Sequence, residues 1–160
     1  IPLRLVGSEM CIRDSCIYYR DERRLEFAGA KASIFQVQTG GASETSGDRK
    51  SVGSTRMREG FEYTTHEISD PAGAFVMLTD GITDVMSPEE KPIAFGRRRV
   101  LKLLQQATDR TPKYIVEKIM NSVDLYRGSA PFRDDLTLLS FSLNETTVIE
   151  PDARASGDKL

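Results

Sequence analysis

The run GAFVMLTDG at residues 73–81 constrains this chain more than any other stretch. Residues 74–78 are unbroken apolar, the longest such run in the sequence, and that pattern suits a strand covered on both faces rather than one with a wet side. It ends abruptly at Asp80-Gly81. Nothing approaches the roughly 18 consecutive apolar residues a membrane helix requires, so no transmembrane segment is expected.

The punctuation around this run is that of a meander. Residues 16–19 are β-rich, Asp21-Glu22-Arg23 reads as a turn, and 25–28 and 33–37 give two more strand-like runs. Residues 40–47 (GGASETSG) read as a flexible connection, and 61–68 carries the β-formers Phe61, Tyr63, Thr64, Thr65 and Ile68. Two amphipathic helices follow. Val100, Leu103, Leu104 and Ala107 recur at helical spacing in the first. The second opens with Thr111 as N-cap and Pro112 at the first helical position, with Ile115, Ile119 and Val123 on one face and Val116 and Met120 on its flank. A last strand spans 136–143. Strand runs separated from helices predict an α+β fold, with helices stacked on an antiparallel sheet.

The ends read differently. Residues 1–15 (IPLRLVGSEMCIRDS) show neither period and are read as a foreign leader, which starts the domain at Cys16; the polar stretch 144–160 is expected to be disordered. The 160 residues are one domain's worth, and 22 basic against 24 acidic side chains give a net charge of −2. That balance argues against a nucleic-acid partner, since phosphate binding draws on an excess of Lys and Arg. Cys11 and Cys16 are too few for a disulfide framework, which fits a reducing cytoplasm.

Asp80 closes one very apolar strand, while Asp134 and Asp135 open another. If those strands are antiparallel neighbours, their carboxylates meet at one sheet edge. Like charges repel there, and a divalent cation relieves it; oxygen donors without nearby His or Cys favour Mg²⁺ or Mn²⁺ over zinc. The same residues also suit a plain Asp-Gly turn and a plain loop end, and spacing alone leaves both readings open.

In order along the chain, LEFAGAKASIF, GDRKSVG, LTDGITDVM, two amphipathic helices and FRDDLTLLSF resemble the C-terminal part of the PPM (protein phosphatase 2C-like) metal-dependent serine/threonine phosphatases, in their bacterial SpoIIE/RsbU-like branch. The resemblance covers about residues 16–143. It implies an antiparallel β-sandwich flanked by helices, with two Mg²⁺ or Mn²⁺ ions in the complete domain and hydrolysis of phosphoserine or phosphothreonine. The implied substrate is a phosphorylated regulatory protein, of the anti-sigma-factor antagonist type, in cytoplasmic bacterial signalling. Carried over by motif, Asp80 and Asp134 are metal ligands and Asp84 holds metal-bound water from the next shell. Gly81 permits the tight turn, Thr137 hydrogen-bonds within its motif, and Asp135 orients its neighbour.

The 160 residues contain no counterpart of the family's Gly-Asp-x-x-Asp strand or Gly-His-Gly segment. The sandwich is therefore expected to be N-terminally incomplete, and the chain to bind metal poorly and not turn over. Its exposed edges would invite a homodimer. The alternative is a non-catalytic, pseudophosphatase-like interaction module, which has no requirement for aligned ligands at 80 and 134. His66 is expected on a solvated strand face, and Arg97, Arg98 and Arg99 on the charged face of a helix rather than gripping a phosphate.

Overall fold

The computed structural model describes residues 13–52 and 60–143. Alternation within the apolar run sets the architecture. In the strand β6 (Ala74–Leu78), Ala74, Val76 and Leu78 point to one side of the sheet, and Phe75 and Met77 to the other. Each side is covered by a different layer.

Before it come β1 (Arg13–Tyr19), β2 (Arg24–Ala30), β3 (Ser33–Gln38), β4 (Gly41–Ser46) and β5 (Thr65–Ser69). After it come α1 (Asp80–Thr83), α2 (Gly96–Gln105), α3 (Pro112–Arg127) and β7 (Leu138–Ser142). The strands form two antiparallel sheets, ordered β1-β2-β5 and β4-β3-β6-β7. Leu25 and Phe27 of the first meet Ile34, Phe75 and Met77 of the second, so the sheets share one apolar layer. The opposite face of the larger sheet, with Phe35, Val37 and Val76, is covered by Val100 and Leu104 of α2 and Ile115, Ile119 and Val123 of α3. The result is the expected α+β sandwich, with helices on one outer face. Among the described residues, no helix is long and apolar enough to cross a membrane.

The helix ends follow the sequence closely. The Thr111 hydroxyl accepts from the Tyr114 N–H at 3.4 Å, and Pro112 opens α3. Asp109 accepts from the Thr111 N–H at 2.9 Å and from its hydroxyl at 3.0 Å. Those bonds, the amide first, hold the Asp109 carboxyl below its ordinary value.

Several boundaries differ from expectation. The β-structure starts at Arg13 rather than Cys16, because Arg13–Ser15 continue the β1–β2 ladder against Ala28–Ala30. Residues 41–46 are not a flexible connection but strand β4, paired with β3 from Ser33↔Ser46 to Gln38↔Gly41. Gly40, at φ 101°, makes the tight hairpin turn that side chains disfavour. Residues 61–64, expected in a strand, lie outside β5, and the Thr64 N–H donates to the Asp48 carboxylate at 2.7 Å instead of to a ladder. The last strand begins at Leu138 rather than Leu136, and Ala107 falls beyond the end of α2. Residues 1–12 and 144–160 lie outside the described residues, and with them most of the leader and the polar tail.

Cys16 packs from the edge strand against the layer between the sheets. Burial, and after it the charge of Asp14, push its thiol up to about 11. In a Cys11→Ser background, alkylation of Cys16 at pH 8 is expected to run about 100-fold slower than that of an exposed thiol, since only the thiolate reacts. Mass spectrometry of the alkylated chain reads this; equal rates would place Cys16 in solvent. Because the folded value is the higher one, the thiol's contribution to stability is intact below the unfolded value of about 9 and is lost as pH rises towards 11.

Candidate metal centre

Antiparallel pairing of β6 and β7, from Ala74↔Ser142 to Leu78↔Leu138, puts the exit of β6 and the start of β7 at the same end of the sheet. Beyond that end, Thr79 ties the two motifs together. Its N–H donates to the Thr137 carbonyl at 3.1 Å, and its hydroxyl accepts from the Thr137 N–H at 3.1 Å and donates to the Asp135 carbonyl at 3.4 Å. Gly81 then lies against Asp135 so closely that a Cβ there would sit 2.2 Å from the Asp135 carbonyl oxygen. The Asp-Gly and Asp-Asp segments are in backbone contact, although their leading acids, Asp80 and Asp134, are 54 positions apart in sequence.

Within this frame each acid is positioned differently. Asp80 is the first residue of α1, a single turn closed by the Asp84 N–H donating to the Asp80 carbonyl at 2.7 Å. That turn places Asp80 and Asp84 together, both exposed, along one groove of about 400 Å³. The Thr83 hydroxyl contacts the Asp80 carbonyl at 3.1 Å and the Asp84 carboxylate at 3.4 Å. Asp134 is exposed, and its carboxylate accepts from the Asp135 N–H at 2.8 Å. Asp135 thus orients Asp134 through its amide and seats Gly81 through its carbonyl. The hydrogen bonds of Thr137 to Thr79 are likewise made by its backbone.

The donors at this edge are all oxygens, which suits a hard divalent ion in kind. In number they fall short of a closed shell: among the described residues, no group of three or more His, Cys, Asp or Glu is placed to hold a metal. Asp134 is not among the residues lining the groove that Asp80 and Asp84 share.

Two features escaped the sequence reading. Thr79 was legible only as the end of an apolar run, and no local pattern announces a side chain that bonds 56 and 58 residues away. Arg97 is exposed on α2 as expected, but it also reaches back to the sheet. Its guanidinium donates to the Ser33 hydroxyl at 3.2 Å and to the Lys31 carbonyl at 2.8 Å, at the β2–β3 turn beside Asp80. Arg99 instead donates to the Ala94 and Phe95 carbonyls at 3.0 and 2.8 Å and stacks on Tyr126, a structural role. His66 is half-buried rather than solvated, its ring stacked 6.3 Å from that of buried Phe27.

Solved structures share this fold. The SiaA-PP2C domain of Pseudomonas aeruginosa superposes with a TM-score of 0.63 at 31% identity, covering 77% of this chain and 48% of that one. The phosphatase domain of the cell fate determinant SpoIIE from Bacillus subtilis gives 0.63 at 16% identity, covering 85% and 60%. RsbX in complex with magnesium gives 0.50 at 17% identity, covering 81% and 54%. The chain spans roughly half the length of these neighbours. A comparison with curated protein sequences returns no match. The sequence profile of the family described as Stage II sporulation protein E (SpoIIE) matches residues 8–144, nearly the whole chain. With the profile, the sandwich and the paired acidic motifs in agreement, this chain belongs to the SpoIIE family of PP2C-type phosphatase domains.

Proposed function

We propose that this chain is the C-terminal part of a Mg²⁺- or Mn²⁺-dependent protein serine/threonine phosphatase domain, with Asp80 and Asp134 as metal ligands. The observation that carries the reading is the contact between the two acidic motifs, made by the Thr79 hydrogen bonds and by Gly81 against the Asp135 carbonyl. A turn and a loop end with no shared task have no need of that contact. When bound, the metal lowers the pKa of water and offsets charge on the phosphoryl oxygens. The chain's own residues prepare the edge for it. The Asp135 amide holds the Asp134 carboxylate and the single turn of α1 sets Asp80 and Asp84 side by side; in this reading Asp84 holds a water from the next shell. The substrate is phosphoserine or phosphothreonine on a cytoplasmic regulatory protein, of the anti-sigma-factor antagonist type, in bacterial signalling.

By itself the chain is expected to bind metal weakly and not to turn over, and its free sheet edges to favour a homodimer. The absence of a three-donor group among the described residues favours a second reading, a pseudophosphatase-like module that binds its partner without hydrolysis.

The test precedes this chain with a family-type Gly-Asp-x-x-Asp strand and follows Mn²⁺-dependent phosphate release from a phosphoserine peptide. Asp80→Asn is expected to lower the rate by more than the roughly 100-fold typical of losing an outer-shell partner. Equal rates in parent and variant would remove Asp80 from the ligand set. Peptide binding without turnover in the parent would favour the module.

A further inference from the structure

Between the end of α3 and the start of β7 the chain runs through residues 128–137, and this connection delivers Asp134 to the candidate centre. Residues 131–135 are all exposed, and among the described residues no hydrogen bond or ion pair involves 131–133. On one side the connection borders open space. Ser129, Ala130, Pro131 and Arg133 form one wall of a cleft of about 200 Å³, and the 86–92 loop forms the other. Packing on that side does not fix its course.

What fixes it comes from α3. Arg127 spreads one guanidinium over three groups. Its Nε donates to the Asp124 carboxylate at 3.0 Å, its Nη1 donates to the Ala130 carbonyl at 3.1 Å, and its Cζ lies over the Phe132 ring, 4.3 Å from the centroid. The Ala130 N–H donates back to the Arg127 carbonyl at 2.9 Å, which closes the turn after the helix. The pair with Asp124, three residues back on the same helix and half in solvent, adds little stability by itself; it aims the fork. A planar guanidinium has both the donors along its edge and the face that stacks, whereas an ammonium is a point charge without that face.

Asp134 is therefore held from both ends. Downstream, the Asp135 carbonyl is seated by the Thr79 hydroxyl and by Gly81. Upstream, the Phe132 ring is tied to Arg127 two residues before Asp134, at most about 7 Å of chain. A metal ligand serves only when it is held to within about 0.5 Å, and a loop anchored at one end alone swings about that end.

We propose that Arg127 is a positioning residue for Asp134: by gripping the Ala130 carbonyl and the Phe132 ring, it makes the end of α3 the upstream anchor of the acidic loop. This rests on the phosphatase reading for what Asp134 does, while the anchoring itself does not.

Backbone NMR on the full chain tests it. In the parent, the amides of residues 133–135 are expected to show order parameters near the rigid value of about 0.85, and in Arg127→Ala they should fall below about 0.6. Those of Ile119 and Val123, in the buried face of α3, should not change, which separates a loosened loop from a loosened helix. Arg127→Lys keeps the charge without the fork or the stacking face and should behave nearly as Arg127→Ala does; it carries the same comparison if the alanine variant does not fold. Rigid 133–135 amides in a folded variant overturn the proposal. Mn²⁺ added to the same samples separates the two readings. Paramagnetic broadening is expected at Gly81 and Asp135 together in the parent, and the Mn²⁺ affinity read at Asp135 should fall about 10-fold in Arg127→Ala, the low end for losing a group that orients a ligand. Broadening that spares both amides in the parent, with the order parameters still falling in the variant, sinks the metal assignment and leaves the anchor standing. Joint broadening that Arg127→Ala leaves undiminished keeps the metal assignment and removes Arg127 as its positioning residue.

Discussion

Gly81→Ala is expected to destabilise the fold by about 3 kcal/mol, the upper end of the usual cost of overpacking. The added Cβ would lie 2.2 Å from the Asp135 carbonyl oxygen and 3.0 Å from its carbon. Both are backbone atoms, so no side-chain rotamer can relieve the overlap. The two strand ends must separate, and the Thr79 hydrogen bonds to Thr137 and Asp135 stretch with them. Urea denaturation reads the stability, and hydrogen exchange reads the clamp, because the Thr137 amide is bonded to the Thr79 hydroxyl. A variant with the parent's midpoint and a protected Thr137 amide would show that Gly81 does not press on the Asp135 carbonyl, and the proposed metal edge would lose that part of its frame.

Phe75→Ala should cost about 3–5 kcal/mol, a large part of the 5–15 kcal/mol that separates a typical domain from its unfolded chain. Phe75 is fully buried between the sheets, its ring stacked on Phe141 at 5.5 Å and its neighbours including Phe27 and Met77. Truncation leaves a cavity in the thinner of the two apolar layers, where the three-stranded sheet supplies only Leu25 and Phe27 to the buried set. The natural control is Leu139, 53% exposed on edge strand β7, whose replacement by Ala should cost far less. If the two variants shift the denaturation midpoint equally at constant m, the layer between the sheets does not hold the fold together.

How far sequence reasoning reached depended on what each element answers to. The amphipathic stripe and cap of α3 are local, and Thr111, Pro112 and the buried face of Ile115, Ile119 and Val123 all take the roles their spacing predicts. The apolar run of β6 predicts burial on both faces, and both are covered. β4 was hidden because Gly, Ala, Ser, Glu and Thr carry no strand signal of their own; pairing along the whole of β3 makes them one. Residues 61–64 show the reverse, since their β-formers lose the ladder once Asp48 takes the Thr64 amide. At the candidate centre, Asp80 and Asp134 were visible as acids at the ends of apolar strands. Asp135 and Gly81 entered through the family resemblance alone, and Thr79 not at all, because the contacts they make act across the chain or through backbone atoms that every residue shares.

Periodicity, capping residues and the ordered acidic motifs belong to the sequence alone, and from them came the α+β class, the helices, the doubly covered strand and the family likeness. Which strands lie side by side, and hence that Asp80 and Asp134 open on one edge and that Arg97 reaches Ser33 across 64 residues, was decided by tertiary structure. The physical reason is that side-chain pattern sets how much surface an element must bury. The partner that buries it, and the distant hydrogen bonds that follow, depend on the packing of all the layers at once.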